Sequence, residues 1–169
     1  MAAGERPFFF SASGMEKEEK MIRIRPVEHG DLPKVREMIA ALASHHGEGA
    51  LVTVADLRRD LFGPTPWLKM LVAEDDGTCV GYAAMGRRAK LGDGLRGIEV
   101  EHLYVDADRR GRGLGRRMLA AVEASARRLG SSFVTIGTQA ENVAARGAYL
   151  ACGYEPLPHD PNRLRKRLA

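Results

Sequence analysis

Residues Gly97–Leu129 read GIEVEHLYVDADRRGRGLGRRMLAAVEASARRL, and this stretch decides the fold. Ile98 to Val105 is apolar and β-branched with Glu99, Glu101 and His102 interleaved, the composition of a strand whose two faces differ. Glycines then stand at 111, 113 and 115, set among Arg109, Arg110, Arg112 and Arg116. From Leu114 the apolar residues recur as Leu114, Met118, Val122, Ala126 and Leu129, close to a 3.6 period, so an amphipathic helix follows the turn. Glycine has no Cβ to block an approaching anion and tolerates positive φ, so backbone N–H groups can converge there. The helix adds its unpaired N-terminal N–H groups and the positive end of its dipole. A pyrophosphate suits such a nest.

Two familiar phosphate loops fail on spacing. The P-loop pattern requires Lys and Ser or Thr after its last glycine, and Gly115 is followed by Arg116 and Arg117. The dinucleotide pattern G-x-G-x-x-G would need a third glycine at Arg116 or Met118. Arg110-Gly111-Arg112-Gly113-Leu114-Gly115 instead satisfies R-x-x-G-x-G, and on these residues the chain resembles the GNAT superfamily of acyl-CoA-dependent N-acetyltransferases. Asn142 to Tyr154, NVAARGAYLACGY, resembles that family's second motif, N-x-x-A-x-x-x-Y-x-x-x-G-[FY], in the right order about 30 residues on. The resemblance runs from Met21 to the C-terminus.

Working outward, 169 residues suit one domain with a single substantial core. Hydrophobic residues at 44% and charged residues at 28% are those of an ordinary water-soluble globular chain, and no apolar run is long enough to span a bilayer. Cys79 and Cys152 form neither a C-x-x-C pair nor a disulfide framework, which favours a reducing, cytoplasmic setting. Residues 1–20 read as a flexible extension or an upstream start, with Met15 and Met21 as alternative starts, and the domain is expected over 21–169. That leader carries three basic and four acidic side chains, so the net charge of +4 becomes +5 over the remainder. Such a charge raises nucleic acid as a ligand. Aromatic residues are only 6%, however, and neither a stacking platform nor a helix-turn-helix pattern is present, so no nucleic-acid partner is expected.

In chain order, Met21–Val27 alternates as a first strand, and Asp31 is placed to cap a helix carrying Leu32, Val35, Met38, Ile39 and Leu42. His45 and His46 end that helix and have no second ligand cluster at metal spacing, so no metal is expected. Thr53 to Asp56 forms a capping box for a short helix closed by Gly63-Pro64. Trp67–Glu74 and Thr78–Arg87 pair through a hairpin turn at Asp76-Gly77, and Gly81 marks a bulge or a close backbone approach. After the central strand and helix, Ser132–Gly137 forms a strand parallel to Ile98–Val105 through a right-handed crossover. A helix over Asn142–Ala151 and a closing strand over Asn162–Leu168 complete the chain. The fold class is α/β: one mixed sheet with helices on both faces, and the resemblance implies that it splays after position 103 to admit acyl-CoA.

The resemblance also implies roles for residues. Backbone groups of Leu103, Tyr104 and Val105 pair with the pantetheine arm of acetyl-CoA, and Leu103 N–H faces the developing oxyanion. Arg110, Gly111, Arg112, Gly113, Leu114, Gly115 and Arg116 cradle the pyrophosphate. Asn142 and Tyr149 contact the thioester end, although Asn142 also suits a helix N-cap. Tyr149 is the candidate acid for the departing thiolate, against the alternative of a packed aromatic. Glu101 is the candidate base, with Glu99 competing and a plain exposed carboxylate as the alternative. An alkylammonium is neutral in roughly one molecule in 10³ at pH 7, so removing its proton is worth about 4 kcal/mol. Cys152 has no histidine partner, which favours direct attack over an acyl-enzyme.

The expected acceptor is a small primary amine. Leu51–Glu74 resembles the diamine acetyltransferase branch, which is commonly dimeric, so a homodimer is implied. That branch has an acidic pair on its central strand where His102 here follows Glu101. The alternatives are a protein or peptide N-acetyltransferase and a non-catalytic acyl-CoA-binding module.

Overall fold

The structure is a computed structural model that describes residues 22–157 and 160–167, with the side chains of 160–163 left aside. The leader over residues 1–20, and Met21 with it, lies outside the described residues. Seven strands form one sheet in the order β1-β2-β3-β4-β5-β7-β6. In chain order the elements are β1 (Arg23–Pro26), α1 (Leu32–His45), α2 (Val54–Phe62), β2 (Leu68–Asp75), β3 (Thr78–Lys90) and β4 (Leu95–Val105). Then come α3 (Leu114–Arg128), β5 (Phe133–Gly137), α4 (Val143–Ala151), β6 (Glu155–Leu157) and β7 (Asp160–Arg167). Every neighbouring pair is antiparallel except β4 and β5, which the α3 crossover makes parallel. The mixed α/β sheet expected from the sequence is therefore the observed architecture.

Each face of the sheet has its own core. On one, Leu114, Met118, Leu119, Val122 and Ala126 of α3 pack over Ala83, Met85, Ile98, Val100 and Ile136, joined by Tyr149 and Tyr154. On the other, Leu32, Val35, Met38 and Ile39 of α1 and Leu57 and Leu61 of α2 cover Val72, Tyr82, Ala84 and Tyr104. Leu129, counted in the helical stripe by its spacing, falls just past the end of α3 and is 36% exposed.

Two local expectations are corrected. Asp31 caps nothing with its side chain at the start of α1. Its carboxylate accepts from both Nη atoms of Arg25, at 2.7 and 2.9 Å, and from the Glu28 N–H at 2.7 Å. This guanidinium holds the Asp31 carboxyl down at about 2. The β3–β4 hairpin also runs further than the composition suggests, to Lys90 and from Leu95, with a short 3-10 turn at its tip. Thr53 and Asp56 do form the reciprocal capping box. Asp76 and Gly77 both take positive φ, at 52° and 76°, as a tight hairpin turn requires.

Gly81 serves both purposes expected of it. The register slips there, with Ala73 opposite Gly81 and Glu74 opposite Cys79. A Cβ at this position would lie 2.8 Å from the Tyr104 carbonyl oxygen.

Candidate active site

The site is built on an opening in the sheet. β4 and β5 pair only over four positions, from Gly97 opposite Phe133 to Val100 opposite Ile136. β4 then continues alone on that side to Val105, so the splay begins after Val100, earlier than the expected position 103. A cleft of about 480 Å³ opens there. One wall is Leu103 and Val105 with Arg110, Gly111, Gly113, Leu114, Gly115 and Arg116; the other is Ala148, Tyr149, Ala151 and Cys152 of α4. Both sequence motifs thus face each other across one gap.

The glycine loop has the geometry of an anion cradle. Gly111 and Gly113 sit at φ 73° and 77°, which only glycine adopts without strain. Gly113 is the N-cap of α3 and supplies no side-chain cap, so no side chain of the cap shields the first-turn N–H groups. A Cβ built on Gly111 would meet nothing within 4 Å, and one on Gly113 only the Arg116 Nη2 at 3.9 Å. Gly111, Gly113, Gly115 and Arg116 all line the cleft.

Arg110 turns back, its Nε donating to the Val105 carbonyl at 2.8 Å, and its guanidinium lies 5.7 Å from the Tyr104 ring centroid. Arg112 is exposed and does not line the cleft, because the left-handed glycines on either side turn it outward. The Tyr104 side chain points into the opposite core, stacked on Tyr82 at 6.0 Å, since strand residues alternate faces. Asn142 is the N-cap of α4, accepting from the Ala145 N–H at 3.0 Å, and it too stays out of the cleft lining.

Tyr149 lies where its motif predicts, 9% exposed and on the cleft wall. Loss of water around the phenol, with a smaller contribution from Cys152, pushes its pKa up to about 12. The phenol is therefore protonated throughout the working pH range and enters any reaction as a donor.

The two carboxylates of β4 are not equivalent. Glu99 is 9% exposed, ion-paired to Arg88 at 2.6 Å and hydrogen-bonded by the Thr135 hydroxyl. Glu101 is exposed, and its Oε1 sits over Gly86, where a Cβ would come within 2.9 Å of it. Between them the register slips: Met85 stands opposite Val100, but Ala84 stands opposite His102, leaving Glu101 as the extra residue of a bulge. Val100 and Leu103 both reach the α3 core, so the bulge turns Glu101 and His102 together towards the other face.

Sequence reasoning missed this bulge, and with it the neighbours of His102. The ring Nδ1 lies 3.1 Å from the Tyr82 hydroxyl. His46, just past the end of α1, places its Nδ1 3.0 Å from Gln139 Oε1, which ties that end of α1 to the segment after β5. The only hint in the sequence was the break in alternation, with Glu101 and His102 adjacent in an otherwise regular strand.

Comparisons with known proteins agree with the two motifs. The model of the acetyltransferase (GNAT) family matches residues 35–154, and the chain belongs to that family. Thialysine N-epsilon-acetyltransferase of Bos taurus is 30% identical over 146 residues, covering 80% of this chain and 85% of that protein. L-amino acid N-acyltransferase MnaT of Escherichia coli K12 is 29% identical over 126 residues, covering 68% of this chain and 73% of the relative. The same fold is seen in yncA of Salmonella typhimurium, solved with its cofactor acetyl-CoA, at a TM-score of 0.70 and 22% identity over 88% of this chain and 94% of that one. The protein is thus an acyltransferase of the N-acetyltransferase type, with acetyl-CoA as its acyl donor. Among the described residues, no helix is long and apolar enough to cross a membrane and no cluster of three metal-ligating side chains occurs.

Proposed function

We propose that the protein acetylates a small primary amine, such as one carried by an amino acid, by direct attack within a complex holding both substrates. The observation that carries this reading is the opening of β4 from β5 just before Glu101, with the glycine loop and Tyr149 on facing walls. Acetyl-CoA supplies an acetyl group activated as a thioester. Gly111, Gly113, Gly115 and Arg116 hold its pyrophosphate, and the unpaired edge of β4 at Leu103 to Val105 lies along the pantetheine arm. The Leu103 N–H stabilises negative charge on the thioester oxygen. Tyr149 protonates the departing sulfur, whose own thiolate is destabilised by the same loss of water that raises the phenol.

Glu101 receives the incoming ammonium and draws off its proton. Glu99 is less suited, because Arg88 and Thr135 already engage its carboxylate below the surface. Cys152 stands on the cleft wall without a histidine beside it in the described hydrogen bonds, and the reaction needs no acyl-enzyme.

Two relatives are named for amino-acid acceptors, which favours an amine attached to a carboxylate-bearing molecule. His102 in place of a second acid beside Glu101 argues against a polycation, as does the net charge of +4. The test is thiol release from acetyl-CoA against thialysine, free L-amino acids, spermidine and lysine-containing peptides at moderate ionic strength. Thialysine or an amino acid should have the highest kcat/KM. Spermidine as the best acceptor would overturn the reading of His102, and a peptide as the best would overturn the small-molecule reading.

A further inference from the structure

We infer that His102 is the residue on which the acceptor's proton comes to rest, so that Glu101, His102 and Tyr82 act as one proton-accepting unit. This rests on the proposed amine acetylation and extends it. Glu101 and His102 are the first two residues of β4 beyond the last pair with β5, which puts both at the vertex of the opening. In a regular strand, consecutive residues point to opposite faces, and only one of the two would reach the acceptor side. The bulge between Val100 and His102 brings both side chains to the same face.

Tyr82 then fixes the ring. It is fully buried, and that burial raises its pKa, so its hydroxyl remains a neutral phenol against Nδ1. Proton acceptance requires the tautomer in which Nδ1–H donates to the Tyr82 oxygen, which leaves Nε2 without a hydrogen as the accepting atom. His102 itself remains exposed, so Nε2 is reachable from the acceptor side.

The charged groups around the ring act in both directions. Partial loss of water lowers the imidazole pKa, Glu101 raises it, His46 lowers it and Glu48 raises it. The net effect is downward, which leaves His102 neutral and able to accept a proton at neutral pH. An imidazole is closer in basicity to neutral pH than any carboxylate, and proton transfer is most efficient there.

In the balanced step, the ammonium N–H bond breaks and its electron pair stays on nitrogen, which attacks the thioester carbon. The proton reaches His102 Nε2, either directly or through the Glu101 carboxylate that holds the ammonium. The imidazolium returns it to water after turnover. As the tetrahedral intermediate collapses, the C–S bond breaks and Tyr149, on the opposite wall, gives its proton to the sulfur. The nitrogen sheds its second proton to water, leaving the amide N–H, and water returns a proton to the phenolate, so the two transfers do not share a group.

The test uses the full-length protein with acetyl-CoA and thialysine, read as kcat/KM against pH, together with histidine side-chain NMR titration. In the wild type, the limb below pH 7 should coincide with the NMR titration of His102, below the usual 6.5. His102→Gln should remove that limb and lower kcat by about 10²-fold while KM for acetyl-CoA stays unchanged. Glu101→Gln should move the His102 titration to lower pH, because the carboxylate raises it, and Tyr82→Phe should displace both titration and limb together.

If His102→Gln keeps the limb with kcat within about twofold of wild type, a loss far below what general-base catalysis supplies, the inference is overturned. A His102 titration that fails to coincide with the limb overturns it equally, even where His102→Gln is poorly folded. If the wild type releases no thiol with any amine of the panel, the failure belongs to the proposed function.

Discussion

Replacing Gly113 with valine separates the anion cradle from the fold. Gly113 has φ 77°, and a β-branched residue there costs about 1–2 kcal/mol of backbone strain, or about 2–8 °C in Tm for a chain of this length. A Cβ at this site meets no protein atom closer than 3.9 Å, so the added bulk projects into the space assigned to pyrophosphate. A ligand at 100 times its Kd stabilises the folded state by about 2.7 kcal/mol, a rise of roughly 5–11 °C. The assay is thermal unfolding with and without acetyl-CoA. The wild type should show that rise, and Gly113→Val should show a lowered baseline with no rise at all. Gly130 supplies the control: it has φ 68° at the end of α3, open space around it and no part in the cleft. Gly130→Val should lose comparable baseline stability and keep the full acetyl-CoA shift. An unchanged shift in Gly113→Val would refute the cradle, and loss of the shift in Gly130→Val would show that strain alone explains the effect.

Tyr149→Phe should lower kcat by about 10²-fold or more with acetyl-CoA affinity nearly intact, measured by steady-state kinetics and ligand-induced thermal shift. Asp31, held at about 2 against an ordinary 3.8, contributes about 2 kcal/mol that is present above pH 4 and lost as the pH falls towards 2. Urea unfolding should therefore show Asp31→Asn less stable than wild type at pH 6, with the gap closing near pH 2. Gly97→Ala should destabilise the fold by about 1–3 kcal/mol in the same assay, because its methyl would come within 2.2 Å of the Phe133 ring.

The central unit was legible because each of its parts has a strong local cause. The β4 alternation, the left-handed glycines and the 3.6-period stripe of α3 each depend on residues only a few positions apart. Tyr149 could be placed by its motif, since one turn of α4 fixes its relation to Gly153. The side-chain destinations of Arg110 and Arg112 were not legible, whereas the N-cap position of Asn142 was. Arg110 chooses between a ligand and the Val105 carbonyl, a choice set by how the chain turns over Ala107–Arg109. Asp31 looked like a helix cap because it precedes Leu32, yet Arg25, six residues earlier on β1, offers it charge-assisted hydrogen bonds. The bulge at Glu101 depends on the partner strand, whose register no local pattern reveals.

The short join between β4 and β5 has a consequence for synthesis on the ribosome. Residues 22–105 contain β1 to β4 and both helices of one face, so this part of the sheet can assemble before the rest of the chain has emerged. Its other face, with Ala83, Met85, Ile98 and Val100, has no cover until α3 follows. At about 5–20 residues per second, that apolar surface stays bare for seconds and is open to aggregation during that interval. Acetyl-CoA can offer no protection then, because the wall that carries Tyr149 has not yet been translated.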